Sequence, residues 1–139
     1  MTKVGAYKVM GYQKIWAEAQ AAGEAAAAKC IPTPMTVVEA HLDGSPIKGG
    51  KEWFVPSGLC GFATIHIKPA TSGFAKWLKA NERSAYAGYY GGLDIFVHPK
   101  HGEGTPLTQS VEMKGAYAAA AVAVLRSHGI PASYSTRLD

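Results

Sequence analysis

The chain has 139 residues, 47% of them hydrophobic and 17% charged, a balance that belongs to folded globular proteins and excludes a disordered one. Fourteen Lys and Arg against ten Asp and Glu leave a net charge of +4, which suits a polyanionic partner but equally suits a merely solvated lysine surface. Such a length predicts a single domain, 1–139, that buries its core without staples. No apolar run approaches the ~18 residues of a membrane span, and the first residues lack a signal-like apolar region. A cytoplasmic protein away from membranes is therefore expected, with Cys30 and Cys60 as reduced thiols.

From about Tyr7 to Lys29 the chain has no proline and is dominated by Ala, Glu, Gln and Lys, so residues 1–30 read as a helical segment. Its alanine-rich half should pack closely against a flat surface through small side chains. Gly5, Gly11 and Gly23 should each weaken it by roughly 1 kcal/mol relative to Ala, with a break near Gly11. Pro32 and Pro34 force an exit, after which 35–139 should supply the sheet and the remaining helices.

Met35 to His41 reads as a strand, Asp43 to Lys51 as a surface excursion rich in turn residues, and Trp53 to Pro56 as a short strand or aromatic lid. Cys60 to Pro69 is the central strand. Alternation puts Ala63, Ile65 and Ile67 on an apolar face and Cys60, Phe62, Thr64, His66 and Lys68 on the other. Thr71 or Ser72 should cap a short helix carrying Phe74, Trp77 and Leu78, running to about Asn81 over the apolar face. Glu82 to Gly92, with Tyr86, Tyr89, Tyr90 and several glycines, reads as a loop.

Leu93 to Val97 repeats the alternation, with Leu93, Ile95 and Val97 opposite Asp94, Phe96 and His98. Pro99 to Pro106 reads as an exposed, mobile loop. Thr108 should cap a helix from Gln109 to His128 with a stripe of Tyr117, Ala120, Ala121, Val124 and Leu125. Gly129 suits a left-handed helix end, Pro131 blocks continuation, and Ile130 to Thr136 fits a last strand before the tail Arg137-Leu138-Asp139. Helices interleaved with strands in a short chain predict an α+β sandwich: a mixed or antiparallel sheet with helices on it, in the ferredoxin-like manner.

Chemistry should concentrate on the second strand face. Cys60, His66, His98 and His101 are residue types that zinc accepts, but their spacing matches no compact metal signature, so no metal is assigned. Cys60 and His98 are the candidate catalytic pair, a thiol and a possible base, with Asp94 as an orienting carboxylate should it face His66. Neither His66 nor His98 has the hydroxyl residue two places on that two-histidine phosphoesterases carry. Phe62 and Phe96, flanked by Lys68 and Lys100, could form a stacking platform for single-stranded nucleic acid. The simpler arrangement buries both rings under the first helix, because that helix must bury its face somewhere. Tyr89-Tyr90-Gly91-Gly92 is too short for a phosphate loop, and no cofactor motif is present.

Pro32-Thr33-Pro34-Met35, Cys60-Gly61-Phe62-Ala63, Phe74-Ala75-Lys76-Trp77-Leu78, Tyr89-Tyr90-Gly91-Gly92, Ile95-Phe96-Val97-His98, Lys114-Gly115-Ala116-Tyr117, Gly129-Ile130-Pro131-Ala132 and Arg137-Leu138-Asp139 together resemble a family of small uncharacterised proteins encoded by tailed bacteriophages. The likeness covers most of the chain beyond Ile31 and departs at His66 and at His101 to Gly104. It implies a phage origin, a location in the host cytoplasm or the virion, and a shared role for Cys60, His98 and Arg137, but no activity. The expectation is an accessory protein that binds a nucleic acid, a nucleotide, or a host or phage protein, through Phe62, His66, Lys68, Tyr89, Tyr90, Phe96, His98 and Arg137. The alternatives are a virion structural component, in which the alanine-rich helix is an assembly surface between copies, and a small Cys60/His98 enzyme.

Overall fold

Seven alternating residues set the architecture. Strand β3, Gly61–Ile67, buries every second position, with Ala63 at 1% exposure and Ile65 and Ile67 at 0%. In this computed structural model, which describes residues 2–139, β3 is paired on both sides. Strand β5, Leu93–Phe96, lies antiparallel to it with His66 opposite Asp94. Strand β6, Ala132–Leu138, lies antiparallel on the other side with Phe62 opposite Arg137 and Thr64 opposite Ser135. Strand β4, Ala85–Ala87, extends the sheet beyond β5, giving the order β4-β5-β3-β6 with every pair antiparallel.

Three helices cover the apolar face. Helix α2, Gly73–Asn81, is capped by Ser72, whose hydroxyl accepts from the Ala75 amide at 3.2 Å, and it buries Phe74, Ala75 and Leu78. Helix α3, Val111–Ser127, packs against β3 and β6, and helix α1, Thr2–Lys29, packs principally against α3. The protein is thus an α+β domain of helices on antiparallel sheets. None of its described helices is long and apolar enough to cross a membrane.

The alanine-rich segment packs closely through small side chains, though against a helix. Ala19, Gly23 and Ala27 form a buried row at four-residue spacing, which lets the backbone of α1 approach α3. The ring of Tyr117 fills the notch left by Gly23, and burial, with Glu24 and Glu82 adding, pushes its hydroxyl up to about 12. Sandwiched between α1 and the sheet, α3 buries Met113, Ala118 and Val122 as well as Tyr117, Ala121 and Leu125. The single stripe expected from sequence catches only part of that set.

Several boundaries move for local reasons. Helix α1 runs unbroken through Gly11, while the surroundings of Gly5 fall outside the side chains described. Strand β1 is only Met35–Val38, paired with β2, Glu52–Val55, in a separate two-stranded ribbon, and beyond it only Ala40 bridges to Pro46. Residues 85–87 form β4 rather than loop, a strand too short to show a period. Ser110, not Thr108, caps α3 by accepting from the Met113 amide, while Thr105 caps the short 3₁₀ turn Pro106–Gln109 ahead of it. The loop after Pro99 is anchored rather than free, because Glu24 accepts from the amides of Lys100 and His101. Gly129 has the expected left-handed φ of 78°, and Arg137 and Leu138 belong to β6 instead of a tail.

The two described helix glycines of α1 should respond oppositely to alanine. A Cβ on Gly11 meets nothing within 4 Å, so Gly11→Ala should stabilise by about 1 kcal/mol. A Cβ on Gly23 would sit 2.8 Å from three ring atoms of Tyr117, so Gly23→Ala should destabilise by about 1–2 kcal/mol despite its better helix propensity. Urea unfolding of the two variants beside the parent checks both signs.

Candidate functional site: the open sheet face

The face of the sheet opposite the helices carries no covering element among the described residues. Phe96 is 41% exposed and Tyr86 37%, and Phe62, Thr64, His66 and Asp94 are half-buried. Burial of Phe62 and Phe96 under the first helix, the simpler expectation, is thereby corrected. Helix α1 finds its apolar partner in α3 on the other side, so it has no face left for the sheet to cover.

Register brings the open-face side chains into adjoining groups. At one end, the Phe62 ring has the Lys114 ammonium 5.2 Å and the Arg137 guanidinium 5.4 Å from its centroid. Lys114 also donates to the Gly61 carbonyl at 2.8 Å, and burial pulls its ammonium below the ordinary lysine range against the opposing pull of Cys60 and Asp139. Beside Phe62, the Tyr86 and Phe96 rings lie 5.1 Å apart, and a cavity of about 190 Å³ opens between Phe62, Thr64, Tyr86, Phe96, Ser135 and Arg137.

Next along the strands lies a polar line. His66 Nδ1 is 2.7 Å from Asp94 Oδ1, and His66 Nε2 is 2.8 Å from Ser135 Oγ. An ionised carboxylate can only accept, so Nδ1 carries the proton toward Asp94. In the neutral imidazole Nε2 is then the acceptor and the Ser135 hydroxyl donates to it. Beyond His66, Lys68 and Tyr90 border a further hollow with Gly91, Asp94 and Ser133. Tyr89 and Tyr90 stand exposed on the β4–β5 turn, their rings 4.8 Å apart.

Thus Phe62, His66, Phe96 and Arg137 of the expected residues share one surface, with Lys68 and Tyr90 at its end. His98 adjoins it through Phe96, its ring 6.4 Å away, and also lines a cleft with Trp16, Arg83 and Tyr117 at the sheet margin. Cys60 and His98 are not joined by a hydrogen bond among the described residues. The Cys60 thiol lies instead 3.5 Å from the Gln109 side-chain oxygen, in a hollow with Lys114 and Asp139. Nor do Cys60, His66, His98 and His101 converge: no three His, Cys, Asp or Glu side chains among the described residues are placed to hold a metal ion.

Sequence reasoning missed Tyr86, Lys114, Ser133 and Ser135 as members of this face. The parity of the last strand could have suggested Ser133, Ser135 and Arg137 as one set, but not their register with β3. Compared with known proteins, the chain matches no family model, no curated protein and no solved structure. Function is therefore argued from the face itself.

Gly92 ties the tyrosine turn to this surface. Its φ is +75°, and a Cβ there would meet Lys68 Cγ at 2.7 Å and the Ile67 carbonyl at 2.8 Å. Gly92→Ala should cost about 2 kcal/mol or more in urea unfolding, from left-handed strain and the clash together.

Proposed function

We propose that this is a small phage-encoded accessory protein that acts by binding, and that its open sheet face takes single-stranded nucleic acid or a nucleotide. The observation that carries this reading is the aromatic row of half-buried Phe62 and exposed Tyr86 and Phe96, with Arg137 and Lys114 beside it. Bases stack on such rings regardless of sequence, and cations at the margin meet phosphates. Rings on neighbouring strands are held at fixed separations by the sheet, so little side-chain freedom is lost on binding. The chain order β3-α2-β4-β5-α3-β6, with sheet order β4-β5-β3-β6, supports a ferredoxin-like reading of the fold. Sheets of that kind leave one face free for stacking.

Gel shifts with short labelled oligonucleotides test it. With about three cations engaged, affinity should fall roughly ten- to twenty-fold between 50 and 200 mM salt. Phe62→Ala and Phe96→Ala should each weaken binding by about 1–3 kcal/mol while leaving the fold intact. Absent or salt-insensitive binding would remove the nucleic-acid reading.

A second reading, a virion component, is favoured by the β1–β2 ribbon. It exposes Val37 and Trp53, opposite each other on one face, at 42% and 48%, and Phe54 on the other face at 68%, exposed apolar groups of the kind that mark assembly contacts. Mass spectrometry of purified particles decides this: stoichiometric recovery of the chain supports it, and absence discards it.

A further inference from the structure

The line Asp94–His66–Ser135 has the order and polarity of a nucleophile, its base and the base's orienting carboxylate. Such constellations are recognised by geometry and roles on unrelated folds, not by position in the chain. Here three strands supply one member each: Ser135 on β6, His66 on β3 and Asp94 on β5, with both ring nitrogens engaged at 2.7 and 2.8 Å. The carboxylate is the more enclosed end, its side chain 14% exposed against 29% for the imidazole. The hydroxyl end opens into the cavity walled by Phe62, Tyr86, Phe96 and Arg137. A nucleophile at the solvent end and a sheltered carboxylate behind the base is the arrangement that acyl transfer needs.

We propose that Ser135 is the nucleophile of an esterase centre, with His66 as its general base and Asp94 as the residue that fixes the imidazole. The substrate class is a carboxylic ester bearing a flat apolar group. The open hollow of about 190 Å³ is walled on one side by the Phe62, Tyr86 and Phe96 rings, against which an aryl group can stack, and on the other by Thr64, Ser135, Thr136 and Arg137. Arg137 lies two residues from Ser135 on the same strand face, roughly 7 Å along β6, and lines the same hollow, where its charge favours a developing oxyanion.

The chemistry balances without a cofactor. Ser135 Oγ bonds to the carbonyl carbon as its proton passes to His66 Nε2 and the carbonyl electron pair moves onto oxygen. Collapse restores the carbonyl, breaks the bond to the alcohol oxygen and returns the proton from Nε2 to the leaving alcohol. Water then attacks the acyl-serine by the same route, Nε2 taking its proton and delivering it to Ser135 Oγ, and a carboxylic acid is released.

This proposal does not depend on nucleic-acid binding. It is tested by treating the folded full chain with a fluorophosphonate probe and, separately, with p-nitrophenyl acetate, reading adducts by intact mass and peptide mapping. One adduct per chain at Ser135 is expected, lost in Ser135→Ala. In His66→Gln the labelling rate should drop at least about 100-fold, the usual contribution of a general base. Asp94→Asn should slow labelling while matching the parent in thermal melting, which separates positioning from folding. An unlabelled parent, an adduct that persists in Ser135→Ala, or an undiminished rate in a folded His66→Gln would each overturn it. If His66→Gln does not fold, the Ser135→Ala and Asp94→Asn results decide alone.

Discussion

The contact of Tyr117 with Gly23 decides which side of the sheet meets solvent. A helix as poor in large side chains as the second half of α1 cannot cover a broad pleated surface, but it can lie close to another helix through a row of small residues. Tyr117 makes that approach productive by filling the notch with an aromatic ring. Helix α1 thus completes the helical layer above α3, and Trp16 and Tyr12 reach the region of α2, where Tyr12 meets the Phe74 ring edge-on at 5.7 Å. Among the described residues no helix remains to cover the opposite face of the sheet.

What the sequence revealed and what it concealed follow from the range of the interactions involved. The core positions of β3 and β5 were legible because period-two burial is a local property: Ala63, Ile65, Ile67, Leu93 and Ile95 announce themselves without knowledge of any partner. The cap, read as Thr71 or Ser72 and found at Ser72, and the left-handed Gly129 were legible for the same reason. The role of Gly23 was not, since a notch has meaning only against the ring that fills it, 94 residues later in the chain (117 less 23). Ser135 was hidden by register: a one-residue slip of β6 would turn it to the other face, and no local signal reports which register is adopted.

The geometry treats Cys60, His98 and Arg137, the three residues expected from sequence to share a role, differently. Arg137 stands beside Phe62 at one end of the open face. His98 lies at its margin, and Cys60 is turned toward Gln109 in a separate hollow. Among the described residues His66 forms more side-chain hydrogen bonds on this face than any of those three.

Strict alternation in β3 has an evolutionary consequence. Odd-numbered side chains of that strand answer to the core, and even-numbered ones to solvent and to their neighbours on the open face. Substitutions at Phe62, Thr64 or His66 can therefore accumulate at a smaller cost in stability than changes at Ala63, Ile65 or Ile67. One short strand thus offers selection two nearly independent surfaces, and a lineage carrying this fold could exchange one ligand or chemistry for another while the packed half of the molecule stays unchanged.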